Sequence, residues 1–176
     1  MYDPDCDMKC DVTRIPEVAG FAFRAEQPTD SEINLWRSDS LPSHLIFDRS
    51  LHADSEKGDD ILIALSISGC GLHDAETYFK EYGDTFSALI YAEPTTGTGC
   101  SAIQNAGDAI ALANDAKKII REYRELYGAK STHVILFAPA GFCLFLGQKL
   151  NALGQIVAYE RTADGSYQAA VKIATG

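Results

Sequence analysis

The sequence predicts an α/β fold: a mostly parallel sheet flanked by helices, with a C-terminal antiparallel hairpin at the edge. Three observations carry that expectation. From residue 61 onward, short apolar runs alternate with amphipathic stretches of helical period, the pattern of parallel strands joined by helical crossovers. The run ILIALSIS (61–68) is apolar at nearly every position, as suits a strand buried on both faces. The chain then closes on two strands around Ala163-Asp164-Gly165, a tight turn of the kind that joins antiparallel neighbours.

Each further element follows from its own pattern. Residues 73–83 set Ala75, Tyr78, Phe79 and Tyr82 on one side of a short helix. SALIYAEP (87–94) is a second strand, stopped by its proline. A loop of small residues, TTGTGCS (95–101), leads to a long helix over about 103–127. Its apolar stripe runs through Ile103, Ala106, Ile110, Ala113, Ile119, Ile120 and Tyr123, and Gly128 stands just past its end. HVILFAP (133–139) is a third strand and 140–153 a third helix ended by Gly154. The hairpin strands are 155–161 and 166–173. The first part of the chain differs. Pro4, Pro16, Pro28 and Pro42 punctuate it, and only GFAFRAE (20–26) and HLIFDRS (44–50) offer short strands before the loop 55–60. The expected organisation is an irregular acidic N-terminal segment, 1–58, followed by an α/β domain, 59–176.

Composition narrows the class of partner. At 176 residues, 46% hydrophobic and 23% charged, the chain suits one soluble domain. With 15 Lys+Arg against 25 Asp+Glu the net charge is −10. That charge opposes duplex nucleic acid, whose binding depends on counterion release by cationic side chains. A small anion held by backbone amides remains compatible with it. The acidity is concentrated early: residues 1–60 hold 6 basic and 14 acidic side chains, residues 61–176 hold 9 and 11. No apolar stretch approaches the ~20 residues of a membrane helix, and the polar start MYDPDCDMKCD is no signal peptide. The five cysteines, Cys6, Cys10, Cys70, Cys100 and Cys143, form an odd set without a secretory signal, which argues against a disulfide framework and for the cytoplasm. Cys6 and Cys10 lack a second Cys/His pair at zinc spacing, and His44 and His52 do not supply one, so neither metal nor cofactor is expected.

In an open α/β sheet, ligands bind beyond the carboxyl ends of the strands. That rule nominates three loops. The first is Ser66 and Ser68-Gly69-Cys70-Gly71, where glycine lets a ligand approach the backbone. The second begins at Glu93-Pro94-Thr95. The third is Phe137-Ala138-Pro139-Ala140-Gly141-Phe142, a strand that becomes a helix almost without a loop and so points free N–H groups over the sheet. Each loop alone is also an ordinary turn, and the weight lies in their convergence. Two aromatic–arginine pairs join them: Trp36 beside Arg37, and Tyr159 with Arg161 at i, i+2 on one strand face. Either pair suits base stacking and phosphate pairing, although a half-buried Trp36 and a solvent-facing edge pair are the simpler roles.

Catalytic patterns are thin. There is no G-x-x-x-x-G-K-[ST] or G-x-G-x-x-G fingerprint, and Thr95 to Gly99 lacks the lysine of a phosphate loop. ISGCG is not a hydrolase elbow. Cys143 reads as a small buried hydrophobe, His133 as a capping or packing residue, and Asp74 as support for a helix N-terminus. Asp59 and Asp60 form a surface pair too small for a two-metal site.

The segment THVILFAPAGFCLFLGQKLNALGQIVAYER (132–161) resembles the C-terminal motif of SAVED domains. Ala138-Pro139-Ala140, Gly147, Leu150-Asn151, Gly154 and Tyr159-Glu160 fall in register with it. The stretch 61–79 resembles the family's first strand and Ser-rich turn, and the helix at 103–127 its long helix, so the resemblance covers roughly 60–173. It implies a Rossmann-like, CARF-like domain at 59–176 that senses cyclic oligonucleotides in the CBASS and type III CRISPR systems of antiphage defence. The three loops would line the nucleotide pocket. A full SAVED domain joins two CARF-like halves, and this sequence holds one, with no effector visible. The implied partners are therefore a cyclic di- or trinucleotide, a second CARF-like half or another copy of the chain, and an effector domain or subunit. The expected function is a non-catalytic sensor whose ligand drives oligomerisation. The alternatives are a ring nuclease, with Ser66, Ser68, Thr95 or His133 as helpers, and a structural protein-docking module.

Overall fold

The computed structural model describes residues 36–176. Nine elements follow in order: β1 (Phe47–Asp54), β2 (Asp60–Ser66), α1 (Leu72–Glu81), β3 (Phe86–Pro94), α2 (Ala106–Tyr127), β4 (Ser131–Phe137), α3 (Ala140–Lys149), β5 (Gly154–Arg161) and β6 (Tyr167–Thr175). They build a mixed α/β fold on one six-stranded sheet of order β1-β3-β2-β4-β5-β6. β3, β2, β4 and β5 pair parallel, while β1 and β6 run antiparallel at the two edges.

The central strands are buried because their apolar runs face helices on both sides. Ile61, Ile63, Leu65, Ile90, Val134 and Ile156 pack under α2 and α3, against Ile110, Leu112, Ile119, Phe142 and Leu146. Leu62, Ala64, Leu89, Tyr91 and Ile135 face α1, through Ala75, Tyr78 and Phe79. α2 starts at Asn105, whose side chain accepts the Asp108 N–H at 3.1 Å. It stops at Gly128, left-handed at φ 59°, whose N–H returns to Arg124 and Glu125 carbonyls. Ile103, expected inside this helix, lies in the turn before the cap and is still 9% exposed. α3 ends at Lys149, short of 153; Ala152 at φ 58° and Gly154 at φ 75° turn the chain into β5, with Leu150 and Leu153 kept in the core.

The largest correction concerns the front of the chain. β1 spans Phe47–Asp54 and pairs with β3 along its length, so the sheet begins before residue 58 and a boundary there cuts through it. Only Phe47 of its eight residues is buried, so the pairing rests on backbone bonds that leave no apolar alternation to read. Asp115, buried on α2, fixes the strand by accepting the Phe47 N–H at 2.9 Å. The expected strand at 20–26 lies outside the described residues. No helix among the described residues is long and apolar enough to cross a membrane.

Candidate functional site

β2 and β4 are neighbours, and the helices that follow them leave in opposite directions: α1 packs on one face of the sheet, α3 on the other. This is a topological switch point, and the crevice of such a fold opens between the carboxyl ends of those two strands. Backbone bonds tie the loops there together. The carbonyl of Phe137 accepts from Ile67 N (2.7 Å) and Ser68 N (2.9 Å), and the Ile67 carbonyl accepts from Gly99 N (2.8 Å). The loops after β2, β3 and β4 thus form one connected rim, bringing together Ser68, Gly69, Cys70, Phe137, Ala138, Pro139, Ala140 and Gly141. Thr95 is anchored at its base, its N–H donating to Ile46 O at 3.0 Å.

Two close packings hold the rim. A Cβ on Gly71 would lie 1.9–2.2 Å from the Phe137 ring, so only glycine lets that ring close over the β2 loop. A Cβ on Gly141 would meet the Trp36 ring at 2.8 Å, and Trp36 also packs near Phe145, with ring centroids 6.3 Å apart. Trp36 therefore lies on the first turn of α3. It borders a groove of about 340 Å³ that runs past Ser40, Leu41, Asn105 and Gly107. In α3 the first helical bond runs from Cys143 N to Pro139 O. The amides of Ala140, Gly141 and Phe142 precede it and have no helical carbonyl partner, which leaves the positive end of the helix at the rim.

Several candidate side chains are elsewhere. Phe142 is fully buried, edge-on to Phe47 at 6.4 Å, because the helix turns it under the sheet; only its amide faces the rim. Pro94 is buried opposite Phe47 in the β1–β3 ladder. Tyr159 is half-buried and packs against the α1 side of the sheet. Its ring is edge-on to Tyr78 at 5.1 Å, and its hydroxyl lies 2.7 Å from His133 Nδ1. Arg161 shares that face and lies 3.8 Å from Asp74, which accepts a hydrogen bond from Tyr167 Oη at 3.0 Å. Arg37 forks onto Asp39 at 2.9 and 2.6 Å.

His133 and Asp60 lie near the amino ends of β4 and β2, away from the rim. Asp60 is no surface residue: one oxygen is 3.1 Å from His133 Nε2 and the other accepts Ser131 N at 2.8 Å. Burial pulls His133 below its ordinary pKa, against the raising effect of the Asp60 carboxylate. Burial raises the Cys143 thiol, keeping it protonated. Cys70 and Cys143 are free, whereas Cys100 is disulfide-bonded, which runs against the expectation of a chain without a disulfide framework. Among the described residues no group of three or more His, Cys, Asp or Glu converges to hold a metal ion.

One element of the site went unread in the sequence: Tyr91. Tyr91 is 6% exposed, and its phenol donates to Glu93 Oε2 at 2.9 Å and lies 3.6 Å from Cys70 Sγ. Burial above all pushes its pKa up, so it stays a proton donor. Ser66, fully buried, accepts the Gly71 N–H at 3.1 Å. The i, i+2 spacing of Tyr91 and Glu93 on one strand was the available clue.

Comparisons with known proteins identify the family. The model of the SAVED family, the "SMODS-associated and fused to various effectors sensor domain", matches residues 14–173. The chain belongs to the SAVED family. It is 30% identical over 120 residues to CD-NTase-associated protein 4 of Enterobacter hormaechei subsp. hoffmannii (strain UCI 50), covering 66% of this chain and 24% of that protein. Its fold is similar to the Cap4 SAVED/CARF-domain containing receptor of Acinetobacter baumannii. With the receptor bound to 2'3'3'-cAAA the TM-score is 0.60 at 17% identity, covering 73% of this chain and 27% of the receptor. With its 3'3'3'-cAAA complex the TM-score is 0.62 at 15% identity, covering 82% and 30%. The chain thus spans less than a third of the length of these SAVED proteins.

Proposed function

We propose that this chain is the sensor portion of an antiphage receptor, which binds a cyclic di- or trinucleotide over the carboxyl ends of β2 and β4. Binding favours self-association, or union with a second CARF-like half, and thereby activates an effector carried elsewhere. We read the fold as Rossmann-like and place the protein in the cytoplasm. The observation that carries this reading is the switch point, where the β2 loop and the amino end of α3 are tied together by the Phe137 carbonyl. Backbone amides at a helix start bind phosphate without net positive charge, which reconciles an anionic ligand with a chain of net charge −10. Family membership and a fold shared with receptors bound to cyclic triadenylates support the same reading. The ring-nuclease alternative loses its histidine, because His133 is committed to Asp60 and Tyr159 away from the rim.

The test is thermal unfolding and calorimetry against a panel of cyclic di- and trinucleotides, with AMP and ATP as controls and light scattering on the same samples. One cyclic species should raise the melting temperature selectively and increase the mass. Saturation at 100 times Kd adds about 2.7 kcal/mol. Equal response to AMP and to the rings, or binding without any change in mass, would refute sensing or assembly respectively. Loss of the bound ring on prolonged incubation would restore the nuclease reading.

A further inference from the structure

We propose that Glu93 reads a base rather than a phosphate: its carboxylate accepts an exocyclic amino N–H from the Watson–Crick edge of a ligand nucleobase. The inference rests on the cyclic-nucleotide reading above and adds what one part of that site selects.

The bond behind Glu93 has a fixed direction. Tyr91 Oη donates to Glu93 Oε2 at 2.9 Å, because a carboxylate can only accept. Tyr91 is buried, so its phenol is shielded from competing water. This bond holds Glu93 in place as an acceptor. Oε1 has no hydrogen-bond partner among the described residues, and Glu93 is only half-buried at the end of β3, beside the Cys70 thiol. A phosphate against this group would face like charge in a partly desolvated site, a costly pairing. A neutral N–H donor instead gains a charge-assisted bond. Among bases, adenine, guanine and cytosine offer an amino group, and acidic side chains accept from such groups in base readout. Hypoxanthine presents a carbonyl where adenine has its amine, and that carbonyl would meet Oε1 acceptor to acceptor.

The experiment titrates the full chain with cyclic triadenylate and with the same ring carrying hypoxanthine in place of adenine. Wild type should bind the adenine ring about tenfold more tightly, the worth of one hydrogen bond to a charged group. Glu93→Gln presents a donor as well as an acceptor and should shrink that gap to about threefold or less, with an unchanged melting temperature in the absence of ligand. Equal affinity of wild type for both rings overturns the proposal, as does a gap that survives in Glu93→Gln. Glu93→Lys tightening both rings alike would put a phosphate at this position and overturn it too. No binding of either ring by wild type overturns the cyclic-trinucleotide reading itself, an outcome distinct from binding without discrimination.

Discussion

Beneath α2 and α3 the sheet presents Ile61, Ile63, Leu65, Ile90, Val134 and Ile156, a layer of aliphatic side chains closed by Phe142, Phe145 and Leu146. Beneath α1 the same strands present Leu62, Ala64 and Leu89, but threaded among them are Asp60–His133–Tyr159, the Tyr91–Glu93 and Ser66–Gly71 pairs and the Tyr167–Asp74 pair. Among the described residues, one face is covered by two helices and the other by a single ten-residue helix. The contrast divides labour within one sheet. The two-helix face supplies cohesion by burial, which is non-directional and tolerant of detail. The one-helix face spends burial on polar groups, each of which needs its partner, and gains fixed directions for donors and acceptors next to the rim.

The contrast predicts a large and purely structural effect on the two-helix face. Phe142→Ala empties a fully buried site next to Phe47, and should cost about 3–5 kcal/mol. At this chain length that lowers the melting temperature by about 10 °C. Denaturant unfolding would measure it, together with an unchanged preference among cyclic nucleotides in whatever fraction stays folded. A change in that preference at constant stability would show that this face takes part in recognition and would break the division.

How much of this was legible in the sequence depends on the kind of information each feature needs. The β2, β3 and β4 runs and the α2 stripe announce themselves because burial on both faces writes continuous apolarity, and a helix of twenty-two residues gives six turns of periodicity. β1 was placed three residues early and left outside the domain, since one buried residue in eight sets no register. The three rim loops could be nominated from strand ends alone. Phe142 could not be assigned to the core or the site without the rotation of α3. Glu93 was visible as a loop residue, but its tether was not. The i, i+2 spacing of Tyr91 and Glu93 is local, but the burial of the Tyr91 phenol beside Cys70 needs the parallel register that sets Ala64 beside Tyr91, and no local pattern encodes a pairing between strands.

A second prediction sharpens the polar side of the comparison through pH. His133 is held below its ordinary value of 6.5, mainly by burial and in part by Lys172, with Asp60 opposing and Tyr159 and the Phe86 ring filling the remaining contacts. The unfolded chain therefore binds more protons than the folded one as pH falls through 6.5. The stability contributed by neutral His133 is complete above that value and is lost as pH falls from it towards the lower folded value. Wild type should lose stability over that interval faster than His133→Asn, measured by urea unfolding at pH 7.5, 6.5 and 5.5. A wild type that gains on the variant during acidification would mean that Asp60 outweighs burial.

The smallest effect probes the exception on the apolar side. Thr132 pairs with Ile61 on β2 and, unlike its neighbour His133, does not join the polar network; it is fully buried, and its Oγ1 has no hydrogen-bond partner among the described residues. If that face works by burial alone, the hydroxyl is a cost: it gave up water and gained nothing. Thr132→Val keeps the shape and removes the orphan group, so it should be neutral or stabilise the fold by about 1 kcal/mol. The same type of change on the other face should do the reverse. Ser66→Ala removes the acceptor of the Gly71 N–H and leaves that buried donor unpaired. Chemical denaturation of the two variants side by side reads the sign directly. Opposite signs for two buried hydroxyls in adjacent strands follow only if partners, rather than depth, decide what a polar group is worth here; a loss at Thr132 matching that at Ser66 would dissolve the distinction between the faces.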